Sequence, residues 1–226
     1  MCGRFTITVT LEELMLRYWI GDATVPFHTP KYNVAPGQQV LAIIHDGQQN
    51  RLGELKWGLV PSWSNDPKIG NKLLNARSET IHEKPAFKQL VGRKRCIVPA
   101  DGFYEWQKTA TGKQPMRIVL RSRNVFSMAG LYDIWVSPDG TRVSTCTILT
   151  TAPNELMAPI HDRMPVILQP EDEALWLDRS VQNPNEFKRL YVPYPADELE
   201  AYPVHSSVGS VKVDEPSCIE PLAALS

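Results

Sequence analysis

From Arg95 to Thr151 the chain is a succession of short β-forming segments, and that run limits the architecture more than anything else in the sequence. RCIVP, GFYEWQK, PMRIVLR, VFSMAGLYDIWV and VSTCTILTT follow one another, with turn residues at Thr111-Gly112 and Ser137-Pro138-Asp139-Gly140. β-Branched and aromatic side chains suit a pleated, half-buried surface, while glycine, proline and aspartate supply the turn conformations. The pattern predicts a curled antiparallel β-sheet or an open β-barrel core.

The flanking segments add helices and further strands. Residues 3–9 read as a strand. Thr10 and Glu13 form a capping box ahead of the apolar-periodic Leu11, Leu14, Met15 and Tyr18, which predicts a helix of two to three turns. Tyr32 to Gly37 reads as an ordered loop, and QVLAIIHD, a turn at Asp46-Gly47 and a partner strand ending near Trp57 read as a hairpin. Residues 58–75 are irregular, and 78–90 permit helix up to the interruption at Pro85. Beyond Pro153 a helical stretch leads to His161, VILQ is a strand, and helices open at Pro170 and at Asn183-Pro184. The tail from Leu199 to Lys212 is expected to rejoin the sheet.

With 226 residues, 42% apolar and 22% charged, the chain is long enough to bury a core, and its composition is that of a globular protein. No repeat or flexible linker divides it. The reading is a single α+β domain over residues 1–226, with peripheral helices, and a monomer by default. No secretory signal or membrane-spanning run is visible, so the expected location is cytoplasmic, or on the nucleoid when bound to DNA. Cys2, Cys96, Cys146 and Cys218 are scattered without zinc-ligand spacing, so neither disulfides nor a metal site is expected, and no cofactor motif is present. The net charge of −1 conceals a split: residues 1–123 hold 18 Lys+Arg against 10 Asp+Glu, and 124–226 hold 6 against 15. A basic half of this kind forms a solvated face or follows a phosphate backbone.

Several residues carry chemistry. Once Met1 is removed, Cys2 has an amine and a thiol on adjacent carbons. The α-amine, with an ordinary pKa of about 7.7–8.0, attacks an aldehyde to give an imine, and the thiolate closes that imine to a thiazolidine. Glu105 lies between Tyr104 and Trp106, where a partly buried carboxylate is suited to accept the proton leaving that amine. His161, in the run His161-Asp162-Arg163, has the titration range for protonating a sugar oxygen or shuttling protons. Arg4 and Arg77 are suited to bidentate phosphate contacts, and Asn75 to holding a sugar or the Cys2 amine. Trp57, Trp63 and Trp106 offer stacking surfaces, with Trp106 the one expected in the core. Each also has an ordinary structural use in a strand, a salt bridge or the core.

Met1-Cys2-Gly3-Arg4-Phe5, Tyr32-Asn33-Val34-Ala35-Pro36-Gly37, Trp57-Gly58, Asn75-Ala76-Arg77-Ser78-Glu79, Gly102-Phe103-Tyr104-Glu105-Trp106 and His161-Asp162-Arg163-Met164-Pro165 together resemble the SOS-response-associated peptidase family. The motifs occur in family order through most of the chain. The resemblance implies a sensor of abasic sites in single-stranded DNA that crosslinks the ring-opened sugar through its N-terminal cysteine and shields the lesion. It implies Cys2 as nucleophile, Asn75 and Glu105 as amine-orienting and proton-transfer groups, and His161 as acid–base aid to ring opening and crosslink reversal. Arg4 and Arg77 would hold DNA backbone, the Trp57–Trp63 region would meet flanking bases, Thr150 would match a smaller polar position of the pocket, and Lys212 would face DNA. A peptidase activity would release Met1, and replication or repair proteins are conceivable partners. Two other readings fit the same residues: an N-terminal-nucleophile or cysteine-type peptidase using Cys2 with His161, and a single-stranded-DNA-binding module with no covalent step.

Overall fold

The computed structural model describes residues 3–21, 23–25 and 28–222. Its first elements are β1 (Phe5–Ile7), α1 (Leu11–Arg17), β2 (Lys31–Val34), β3 (Gln39–His45), β4 (Asn50–Trp57) and, after a 3-10 turn, β5 (Asn75–Arg77). The β-rich half supplies β6 (Arg95–Ala100), β7 (Gly102–Thr109), β8 (Gly112–Leu120), β9 (Phe126–Val136) and β10 (Arg142–Thr151). The last third adds β11 (Met164–Pro165), β12 (Ile167–Leu168), α2 (Pro170–Leu177) and β13 (Leu199–Pro203).

The five segments that read as strands are β6 to β10, and they divide between two sheets. One sheet has the order β13-β8-β7-β1-β2, so the tail does rejoin a sheet, through β13. The other runs β11-β10-β4-β3-β6-β9-β12, and β9 also pairs with β10 along Arg142 to Ile148. That extra pairing curls the second sheet on itself, as the run of short strands predicts. It is not wholly antiparallel: β10 lies parallel to β4 (Thr145 beside Lys56) and to β5 (Thr150 beside Arg77). Chain reversals alone could not reveal these pairings, because β4 and β5 reach β10 from the other half of the sequence.

The capping box forms as read: Glu13 N–H donates to Thr10 Oγ1 at 3.1 Å, and Thr10 N–H donates to Glu13 Oε2 at 2.7 Å. Three local expectations are corrected. Tyr32 to Val34 is strand rather than loop, because β2 pairs with β1. Residues 78–94 form successive turns without a regular helix, Pro85 having no N–H to continue one. The stretch before His161 makes only single turns, with Ala158 N–H donating to Asn154 O and His161 N–H to Met157 O.

Apolar side chains of both sheets share a core. The Phe5 ring on β1 lies 5.3 Å from that of Trp57 on β4, and Phe103 on β7 meets Phe126 on β9 edge-on at 6.3 Å. Trp57 is wholly buried, its indole N–H donating to Leu74 O at 2.9 Å. The next residue must be glycine: Gly58 has φ +130°, and a Cβ there would stand 2.9 Å from Gly70 O. The Trp57-Gly58 motif is therefore an anchor where β4 leaves its sheet. Among the described residues no helix is long and apolar enough to cross a membrane.

Candidate functional site

Strand β7 carries Glu105 into the interior. Of the residue, 3% is exposed, and burial, which penalises the charged form, pushes its carboxyl up to about 7. Its Oε2 lies 3.8 Å from Nε2 of His161, which comes from the segment between β10 and β11. Gln107, two residues along β7, donates to Pro159 O of that segment at 3.3 Å, a second tie between the two.

The tautomer of His161 follows from its other nitrogen. Nδ1 accepts the backbone N–H of Arg163 at 3.0 Å, so the proton of the neutral ring is on Nε2, facing Glu105. Asp162 Oδ1 is also 3.0 Å from Nδ1, but that side chain is 81% exposed, and a nitrogen accepting a backbone N–H has no proton to give it. Burial holds the imidazole below its ordinary pKa, so it is neutral at physiological pH. A carboxyl titrating near neutrality thus faces a neutral imidazole N–H, an arrangement suited to moving protons rather than storing charge.

The N-terminal strand runs beside this pair. Tyr104 N–H donates to Arg4 O at 3.0 Å, continuing the ladder in which Phe5 faces Phe103. The described chain therefore begins, at Gly3, against the part of β7 that carries Glu105. Cys2 itself lies outside the described residues.

Arg4 is used differently from its expected role as a phosphate clamp. Its guanidinium donates to Asn33 Oδ1 at 2.8 Å, Val208 O at 2.6 Å and Gly209 O at 3.1 Å, and lies 6.0 Å from the Trp106 ring. Asn33 in turn donates to the carbonyls of Val208, Ser210 and Val213, and Asp214 accepts the backbone N–H groups of Tyr32 and Asn33. Arg4 and Asn33 thus fasten residues 208–214, including the exposed Lys212, to the start of β1 and β2. Among the described residues, the chain itself engages three of the five N–H donors of Arg4.

A second group surrounds β5 and β10. Asn75 is half-buried beside Ile148, and Arg77 is exposed beside Thr150. Thr150 is 1% exposed, and Arg163 donates to its carbonyl at 2.7 Å and its hydroxyl at 3.3 Å. Thr150, expected at a smaller polar position of the pocket, has its hydroxyl beneath the guanidinium of Arg163. That guanidinium also grips Glu79 at 2.6 and 2.9 Å, and the Arg163 hydrogen bond holds the Glu79 carboxyl below its ordinary pKa. Arg163, Glu79 and Asn33 were legible only as members of longer motifs, since partners 84 and 175 residues apart leave no local pattern.

The tryptophans divide differently from their expected uses. Trp57, fully buried, offers no face to a base, and Trp106, expected in the core, is half-buried, packed against the small apolar cluster of Tyr104, Val204, Val208 and Cys218 with Arg4 over its ring. Trp63 is 58% exposed. Cys96, Cys146 and Cys218 are free buried thiols, and among the described residues no group of three or more His, Cys, Asp or Glu gathers to hold a metal ion.

Comparison with known proteins gives the family. The family model described as SOS response associated peptidase (SRAP) matches residues 1–211. Over 224 residues the chain is 51% identical to the abasic site processing protein YoqW of Bacillus subtilis (strain 168), covering 97% of this chain and 99% of that one. It is 36% identical over 228 residues to the abasic site processing protein HMCES of Gallus gallus, covering 86% and 67%. A crystal structure of a protein from Bacteroides thetaiotaomicron superposes with a TM-score of 0.90 at 28% identity, covering 98% of this chain and all of that one. The chain belongs to the SOS response associated peptidase family.

Proposed function

We propose that this protein processes abasic sites in single-stranded DNA by covalent capture, with Cys2 as the reacting residue once Met1 is removed. The observation that carries the reading is the Glu105–His161 pair, set beside the strand that begins the chain. Relatives of high identity and near-complete coverage are named for abasic-site processing, and peptide connectivity puts Cys2 one residue from Gly3.

The open form of an abasic sugar presents an aldehyde. Glu105 as carboxylate takes a proton from the Cys2 ammonium, and the freed amine adds to the carbonyl carbon to give a carbinolamine. Loss of water, its oxygen protonated by Glu105, gives the imine. The thiol then adds its sulfur to the imine carbon and its proton ends on nitrogen, closing the thiazolidine. The balance is aldehyde plus aminothiol giving thiazolidine plus water. His161 gives its Nε2 proton to the sugar oxygen that gains one on ring opening and recovers a proton from Glu105, which that nitrogen faces, and Asn75 orients the amine. While Met1 remains attached, the Cys2 nitrogen is an amide and forms no imine, so removal of Met1, by the same site or another peptidase, precedes capture.

Arg77, Lys212 and Trp63 are exposed and available to backbone and bases, and Arg163 reaches phosphate if it exchanges Glu79 for it. The test is incubation of processed protein with a single-stranded oligonucleotide carrying one abasic site, followed by a denaturing gel. Wild type gives a retarded band, Cys2→Ala gives none, and Cys2→Ser gives no adduct that survives denaturation. An equal band in Cys2→Ala would remove Cys2 from the reaction.

A further inference from the structure

A cavity of about 540 Å³ opens beside Trp63, and none of Asn75, Glu105 and His161 lines it. Two features make it more than an incidental hollow. The first is how Trp63 is held. Ser62 N–H donates to Asp133 Oδ2 at 2.7 Å, Ser64 O accepts the Trp135 indole N–H at 2.7 Å, and Ser64 Oγ donates to Asp66 O at 3.0 Å. The residues on both sides of Trp63 are thus tied to the body, yet the indole between them is 58% exposed. A large aromatic side chain kept in water by a fixed backbone is a preorganised stacking surface.

The second feature is the charge opposite it. The turns at 84–94 bury Phe87, Leu90 and Val91, which leaves Lys88, Gln89 and Arg93 outward on the cavity wall. Gly92 lets the chain pack here, since a Cβ would stand 2.6 Å from Gln182 O, part of another wall. The one acid lining the cavity, Asp133, is 2% exposed and already engaged by Lys94 at 2.6 Å and by the N–H groups of Ser62 and Ile134. Among the described residues, Lys88 and Arg93 have no carboxylate partner, and their charge faces the cavity uncancelled.

We infer that this groove holds the backbone of single-stranded nucleic acid flanking the lesion, with Lys88 and Arg93 on phosphates and Trp63 under a base. The inference rests on the function proposed above, which already uses Trp63, and adds Lys88 and Arg93 as its phosphate contacts. Asp133 faces Thr145 on β10, three residues before Ile148, which lies beside Asn75, or about 10 Å at strand spacing. The groove therefore takes chain beyond the captured nucleotide.

The experiment compares wild type, Lys88→Ala/Arg93→Ala and Trp63→Ala on 20-nucleotide and 6-nucleotide single strands without a lesion, by fluorescence anisotropy across a salt series. Each single-strand phosphate contact contributes about 0.7 to the slope of log affinity against log salt, so the double variant should lose about 1.4. Its affinity for the 20-mer at low salt should fall roughly tenfold, while the 6-mer changes little. Trp63→Ala should weaken 20-mer binding with the slope unchanged. An unchanged slope and affinity in the double variant would overturn the groove, as would equal competition by polyglutamate, which would mark it as a site for acidic protein. All three residues are exposed, so folding is preserved, and the melting temperature verifies this. These readings involve no crosslink: wild type that forms no adduct with abasic DNA refutes the covalent function and leaves the groove's salt slope to stand or fall alone.

Discussion

Asp101 and Glu105 are two buried carboxylates at the same end of the same strand region, 7% and 3% exposed, and they live in opposite surroundings. Asp101 is filled with donors: the Thr8 N–H at 2.7 Å, the hydroxyls of Thr6 and Thr8, and Arg117 at 3.3 Å. It fastens β1 to β7 and β8. Glu105 has a neutral imidazole at 3.8 Å, and burial outweighs the Trp106 backbone hydrogen bond and pushes its carboxyl up to about 7. A buried acid neutralised by a permanent cation is a strut. One whose neighbour also titrates can gain and lose a proton near physiological pH.

The comparison breaks most easily at Asp101. Asp101→Ala leaves Arg117 buried without its carboxylate and should cost about 3–5 kcal/mol of folding stability, measured by denaturant titration, with crosslinking per folded molecule unchanged. A variant of normal stability that cannot crosslink would reverse the assigned roles. Glu105→Gln and His161→Ala should do the converse, folding normally but forming the adduct about 10²-fold more slowly. In wild type the rate should rise with pH through about 7 as Glu105 becomes a carboxylate, and Glu105→Gln should lose that inflection.

A smaller effect sharpens the contrast from the stability side. The folded pKa of Glu105 is raised above the unfolded value of 4.5, so the folded state favours its protonated form. The contribution is present at low pH and lost as pH rises from about 4.5 through about 7. Glu105→Gln, permanently neutral, should therefore be more stable than wild type at pH 8, by about 1–3 kcal/mol, and nearly equal at pH 4. A melting temperature lowered at pH 8 would show that Glu105 is a strut after all. The smallest effect is at Trp63, where truncation to alanine should change stability by no more than about 0.5 kcal/mol because the indole is mostly in water.

How much of this was legible in the sequence varies with the range of the interaction. Strands β6 to β10, the capping box at Thr10 and Glu13 and the β3–β4 hairpin depend on neighbouring residues, and they form as read. β2 does not follow from its own residues, because what makes it a strand is pairing with β1. The tryptophans show the same limit: Trp57 and Trp106 have similar local surroundings, and only the packing of Phe5 and the reach of Arg4 decide which is core. At the site, Glu105 and His161 were legible from chemistry and motif, and their approach across 56 residues follows from the fold alone. Arg4 was legible as a cation, but its hold on Val208 and Gly209 depends on a segment 204 residues away.

The central claim is covalent capture through the processed N-terminus, and intact mass spectrometry of the protein with a single-abasic-site oligonucleotide tests it most directly. The account predicts one species at the mass of the chain without Met1 plus the oligonucleotide minus one water, stable to denaturation and to high salt, and absent from Cys2→Ala. Protein with Cys2 free that yields only the two separate masses would contradict it.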